Sequence, residues 1–155
     1  MKDSLLLNKD FWNNKYIASK TGWDVGKITT PLKEYFDQLN DKTIKILIPG
    51  CGNSYEAEYL FENKFINTYV VDYSEQALNN FSKRVPGFSK SKLLSNDFFN
   101  VQGKFDLIIE QTFFCAIDKS RRSDYFVKMN DLLNPNGKLV GLLFNDSLNE
   151  NHPPF

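Results

Sequence analysis

The apolar positions of the chain gather into five short runs separated by stretches of helical spacing. The first run is Ile44–Lys–Ile–Leu–Ile48, and it ends in Pro49–Gly50–Cys51–Gly52. Thr68–Tyr–Val–Val71 is the second, closed by Asp72. Leu93–Leu94 leads to Asn96–Asp97, and Phe105–Asp–Leu–Ile–Ile109 ends at Glu110–Gln111. Lys138–Leu–Val–Gly–Leu–Leu–Phe144 is the fifth. Short apolar runs with little alternation predict parallel strands buried on both faces. Between them the period changes. A helix is predicted from about Ser54, with Ala57, Leu60 and Phe61 facing inward. Ser74 is placed to cap the next one, where Ala77, Leu78 and Phe81 share a face. A helix over 121–133 would bury Tyr125, Met129, Leu132 and Leu133, and Asn134–Pro–Asn–Gly137 then reads as a turn. Upstream, residues 8–40 carry helical spacing broken at Thr21–Gly22 and Gly26. Pro31 suits the first turn of a helix that puts Leu32, Tyr35, Phe36 and Leu39 on one side.

Strands alternating with helices predict an α/β fold with a doubly wound, mostly parallel sheet. The length of 155 residues suits a single domain spanning 1–155, with a helical segment over 1–43 and the α/β core over 44–155. The 19 Lys and Arg balance the 19 Asp and Glu, so no broad phosphate-binding face is expected and no nucleic-acid partner. Leu5–Leu6–Leu7 is followed at once by Asn8, Lys9 and Asp10, which is not a signal peptide, and no run approaches a membrane span. A cytoplasmic protein with reduced cysteines and no membrane partner is the expectation. Two cysteines and one histidine, with no C-x-x-C, point to no metal site.

In doubly wound sheets, ligands bind at the carboxyl ends of the strands, so the residues just after each strand carry the chemistry. Gly50 and Gly52 would let the chain turn sharply and a ligand approach the backbone. The dinucleotide fingerprint fails, because Tyr55 stands where its third glycine belongs. Glu56 enters the first turn of the following helix, which suits a zwitterionic amino-acid ligand better than a diphosphate. Asp72 could accept both hydroxyls of a ribose, although a helix-capping Asp would look the same. Asp97–Phe98 could bind and cover an adenine, although a turn Asp beside a core Phe also fits. The series is more telling than its members: Gly50/Gly52, Asp72, Asp97 and Glu110–Gln111 fall at four successive strand ends.

These residues resemble the thiopurine S-methyltransferase family, and most closely its halide/thiol methyltransferase branch. The matching segments are Phe11–Trp12, Tyr16, Gly22–Trp–Asp–Val–Gly26, Ile48–Pro–Gly–Cys–Gly52, Val71–Asp–Tyr–Ser74 and Asn96–Asp–Phe–Phe99. Phe105–Asp–Leu–Ile108, Phe113–Phe–Cys–Ala–Ile117, Leu132–Leu–Asn–Pro–Asn–Gly137 and Pro153–Pro–Phe155 complete the pattern. The resemblance implies a Rossmann-like sheet of the S-adenosylmethionine-dependent methyltransferase type, lacking the last strands. It implies S-adenosylmethionine as cofactor, with contacts at Trp12, Tyr16, Trp23, Gly50, Gly52, Asp72, Asp97, Phe98 and Gln111. Arg122 matches a family arginine that lines the substrate pocket; a solvated arginine at a helix start would read alike. Tyr16 replaces a usual Trp, and Glu110 a usual Asp.

The implied reaction is in-line displacement of a methyl group by a small nucleophile, a thiol or a halide. Such acceptors arrive largely as anions, so no strong general base is required and no catalytic residue is singled out. Cys51 and Cys115, without a histidine nearby in sequence, read as structural. A cofactor-binding domain without catalysis is the alternative. Residues 8–30 are expected to close over the cofactor as a lid. Family members continue beyond Pro–Pro–Phe, so strand 138–144 is expected to be an uncovered apolar edge through which the chain could dimerise.

Overall fold

The computed structural model describes residues 7–145 and 152–154. Two N-terminal helices, α1 (Lys9–Ile17) and α2 (Thr30–Asp37), precede an alternating series. The series runs β1 (Ile46–Pro49), α3 (Tyr55–Glu62), β2 (Thr68–Asp72), α4 (Glu75–Arg84), β3 (Leu93–Ser95), β4 (Phe105–Gln111), α5 (Arg122–Leu132) and β5 (Leu133–Leu142). The sheet order is β3-β2-β1-β4-β5, and every neighbouring pair is parallel. The predicted doubly wound α/β sheet is therefore present. No helix among the described residues is long and apolar enough to cross a membrane.

The two-residue period of the strands explains the two cores. Ile46, Ile48, Val70, Leu107 and Ile109 pack on one face against Leu32 and Phe36 of α2, Ala57 and Leu60 of α3, and Leu78 and Phe81 of α4. Leu47, Val71 and Ile108 point the other way, onto Tyr125, Met129 and Leu132 of α5 with Phe98 and Phe105. The predicted cap forms: the Ser74 hydroxyl accepts the amide of Ala77. Pro31 sits in the first turn of α2 as expected.

Three expectations need correction. The first strand starts at Ile46 rather than Ile44, because the Lys45 carbonyl is taken by the amides of Asp106 and Leu107 before the ladder to β2 begins. The segment 134–137 is not a free turn. It lies within β5 as an irregularity, with the register to β4 slipping between Phe105 and Leu107 and Asn136 at φ +65°. Gly137 is required there, since a Cβ would stand 2.9 Å from the Asn134 carbonyl oxygen and 3.0 Å from that of Phe105. β5 itself ends at Leu142, short of the expected Phe144.

Candidate functional site

The turn after β1 is built by two glycines in the left-handed region, Gly50 at φ +56° and Gly52 at φ +53°. Both are also places of close approach. A Cβ on Gly50 would lie 2.1 Å from the Phe113 ring, and one on Gly52 would lie 2.5 Å from the Tyr16 hydroxyl. Only glycine satisfies both demands without strain. The Gly52 amide donates to Asp72 Oδ2 at 2.8 Å, and the Ser74 amide donates to Oδ1 at 2.7 Å. Asp72, buried at the end of β2, is thus held by one amide on each oxygen, and each oxygen keeps a further acceptor position. Burial raises its carboxyl above the usual range, and the amides of Ser74, Gly52 and Tyr73 pull it back.

Asp97 caps the short turn after β3 by accepting the Phe99 amide at 2.9 Å. It also faces two groups that sequence reasoning left out. Arg121 Nη1 lies 3.6 Å from Asp97 Oδ2, with the guanidinium stacked 3.6 Å above the Phe99 ring. The Tyr73 phenol is pushed up to about 12, first by burial and then by its hydrogen bond to Asp97.

The N-terminal segment covers this end of the sheet. Asn13 Oδ1 accepts from the Ser74 hydroxyl and the Gln76 amide, both at 3.0 Å, which docks α1 on the start of α4. Phe11, Trp12, Trp23 and Tyr16 then follow one another edge to face, at centroid distances of 5.0, 5.8 and 6.1 Å. Burial is the main reason the Tyr16 phenol is held above its ordinary range, with the nearby Asp72 adding to it.

Beneath this cover lies a cavity of about 490 Å³. Trp12, Tyr16, Trp23, Gly50, Asp72, Asp97 and Phe98 all line it, so seven residues singled out from the sequence converge on one space. A second hollow of about 50 Å³ adjoins it, lined by Gly52, Glu56, Gln111 and Lys27 among others. Tyr16, Trp23, Gly50 and Thr112 border both and form the partition. Gln111 faces the smaller hollow, where its side-chain oxygen accepts the Thr29 hydroxyl at 3.0 Å.

Arg122 does not line either hollow: its guanidinium lies 4.6 Å from the Phe114 ring centroid, behind the wall. Its neighbour Arg121 lines the larger one. Sequence reasoning also passed over Tyr73, Thr112 and Phe113, all wall residues. Their position directly after β2 and β4 is the signal that could have found them. Among the described residues, no three His, Cys, Asp or Glu side chains gather as a metal site.

The family model for thiopurine S-methyltransferase (TPMT) matches residues 7–155. The chain is 31% identical over 151 residues to "Probable thiol methyltransferase 2" of Arabidopsis thaliana; the match takes in 93% of this chain and 66% of that one. It is 24% identical over 166 residues to thiopurine S-methyltransferase of Vibrio parahaemolyticus, covering 96% and 76%. The chain therefore spans just under two thirds of the length of the Arabidopsis relative. Among solved structures, Burkholderia thailandensis 1,6-didemethyltoxoflavin-N1-methyltransferase with bound S-adenosylhomocysteine superimposes with a TM-score of 0.76 at 14% identity. That match covers 90% of this chain and 62% of the other. This likeness establishes the methyltransferase-type Rossmann-like fold.

Proposed function

Because the chain belongs to the thiopurine S-methyltransferase family, we propose that it takes part in S-adenosylmethionine-dependent methyl transfer to a small nucleophile, a thiol or a halide. The observation that carries this reading is the convergence of Trp12, Tyr16, Trp23, Gly50, Asp72, Asp97 and Phe98 on a single cavity. The glycine turn supports the fit, since the absence of a Cβ at Gly50 and Gly52 lets the Phe113 ring and the Tyr16 hydroxyl, both of residues that line the cavity, close onto the turn.

When bound, S-adenosylmethionine supplies a methyl carbon on a sulfonium sulfur, open to in-line displacement. The residues of this chain bind, orient and exclude water. Asp72 accepts ribose hydroxyls with the acceptor positions that Gly52 and Ser74 leave open. Asp97 accepts the adenine amino group, and Phe98 covers the ring. The smaller hollow, with Lys27 beside Asp24 and Glu56, provides both signs of charge for an amino-acid end. The Trp12 face stabilises positive charge in the cavity, and the Tyr16–Trp23 partition sheds water from it. Alignment accounts for most of the acceleration such a site can give.

An acceptor that arrives as an anion needs no general base. The Cys115 thiol lines the wall, but burial pushes it up to about 11, so it stays protonated at neutral pH and does not compete as a nucleophile. Arg121 borders the cavity where Arg122 does not, and its pairing with Asp97 and stacking on Phe99 make it a brace for the adenine end. The segment carrying Trp12 and Trp23 acts as a lid, and the partners are a small-molecule acceptor and a second copy of the chain along the β5 edge.

Tryptophan emission tests the binding part of this reading, because Trp12 and Trp23 border the cavity. S-adenosylhomocysteine should shift or quench the emission saturably, and NAD should not. A response to NAD alone would move the chain to another cofactor class.

A further inference from the structure

We infer that Glu110 is a positioning residue for the acceptor-facing wall of the cavity, acting by tethering the Thr112–Ile117 segment through its backbone. The inference rests on the methyl-transfer reading above. Glu110 lies one residue before the end of β4, and only 1% of it is exposed. Its Oε1 accepts the Phe113 amide at 3.0 Å and also the Phe114 amide. A buried carboxyl is an expensive group to keep, and two amides on one oxygen make it an anchor.

The rest of the fold accommodates this anchor. Gly141 stands opposite Glu110 in the β4–β5 register. A Cβ on Gly141 would lie 2.8 Å from the Glu110 Cβ and 2.5 Å from its carbonyl oxygen. The anchor therefore depends on a glycine in the neighbouring strand. Cys115 and Tyr125 lie close enough that the Glu110 charge adds to the upward shift of both, after burial. Oε2 is buried and has no hydrogen-bond partner among the described residues.

What the tether holds is the far wall of the cavity. Thr112 turns the chain at φ +57°. The Phe113 ring then lies against the Gly50 backbone, and its centroid is 5.2 Å from that of Phe98. Thr112, Phe113, Cys115, Ala116 and Ile117 all border the cavity. Topology decides which end of a ligand they meet. The adenine and ribose positions, Asp97 and Asp72, follow β3 and β2 on one side of β1. The segment after β4 is on the other side, where the acceptor must approach.

Hydrogen exchange and kinetics on two variants test this. Glu110→Leu fills the volume but accepts no hydrogen bond, and Glu110→Gln keeps one oxygen. In the Leu variant the amides of 113–114 should exchange at least about tenfold faster, as expected when a buried carboxyl anchor is lost. The acceptor KM should rise about tenfold or more, while the affinity for S-adenosylhomocysteine changes less than about threefold. The Gln variant should stay near wild type in both. If the Leu variant keeps both the amide protection and the acceptor KM of the wild type, the tether is refuted. If cofactor affinity falls as steeply as the acceptor KM rises, the effect is general and the assignment to the acceptor wall fails. A wild-type chain that transfers no methyl group counts against the proposed function instead, and the exchange rates still decide the tether.

Discussion

The Asp72 carboxylate reaches from the end of β2 across to the turn after β1, where its Oδ2 accepts the Gly52 amide at 2.8 Å. One side chain thus fixes the shape of the glycine turn and also faces the cavity beneath α1. Asp72→Ala should cost the folded chain the two amide bonds and should remove the acceptors for the ribose. Hydrogen bonds to a charged group are worth about 1.5–3 kcal/mol each, so S-adenosylhomocysteine should bind at least about tenfold more weakly. Calorimetry measures this directly, with circular dichroism to confirm folding. An unchanged affinity would place the ribose elsewhere.

The strand ends were legible in the sequence because buried parallel strands write themselves as apolar runs, and the residues that stop three of these runs are ones the fold brings together. Gly50, Asp72 and Asp97 were found this way and now share one cavity. The pieces that were not legible depend on shifts of one residue. Arg121 and Arg122 are adjacent in sequence, and the short 3-10 turn over Lys119–Arg121 ahead of α5 determines that Arg121 faces the cavity. Asn134–Gly137 has the composition of a turn, yet the Phe105–Leu133 pairing carries it along the sheet as a bulge. The anchoring role of Glu110 depends on a side chain folding back to amides three and four residues on, which no periodicity encodes.

Burial holds the Glu110 carboxyl above its ordinary value, with the Phe114 and Phe113 amides opposing it. The folded chain therefore keeps this proton at a pH where the unfolded chain has released it. By linkage, the group's contribution favours folding below its unfolded pKa of about 4.3 and is lost as pH rises through the higher folded value. Glu110→Gln removes the titration and leaves in place Asp72 and Glu56, two other carboxyls that burial also raises. The stability of the wild type relative to this variant should fall as pH rises from about 4 toward neutrality. Urea melts at several pH values check this; a difference that stays constant with pH would mean that Glu110 titrates as it does in the unfolded chain.

Among the described residues β5 is an edge of the sheet, and apolar side chains stand open beside it. Leu139 is 38% exposed, Leu143 67% and Phe144 55%, and Phe126 and Val127 of α5 are open at 58% and 62%. An uncovered edge with apolar flanks favours pairing with another chain. The chain should sediment as a dimer or larger species at micromolar concentration, and Leu139→Lys with Leu143→Lys should return it to a monomer. A wild-type chain that sediments as a monomer would remove this edge as an association surface.

Methyl transfer to a small anionic acceptor can be assayed on the chain itself. The chain is incubated with S-adenosylmethionine carrying a labelled methyl group and, separately, with iodide, hydrosulfide or an aryl thiol, and the volatile or extractable product is counted. Labelled product should form with at least one of these acceptors, together with S-adenosylhomocysteine, and should be greatly reduced by Asp72→Ala. A chain that binds S-adenosylhomocysteine in the cavity yet transfers no label to any of them would contradict the proposed function, and would leave a cofactor-binding domain without this activity.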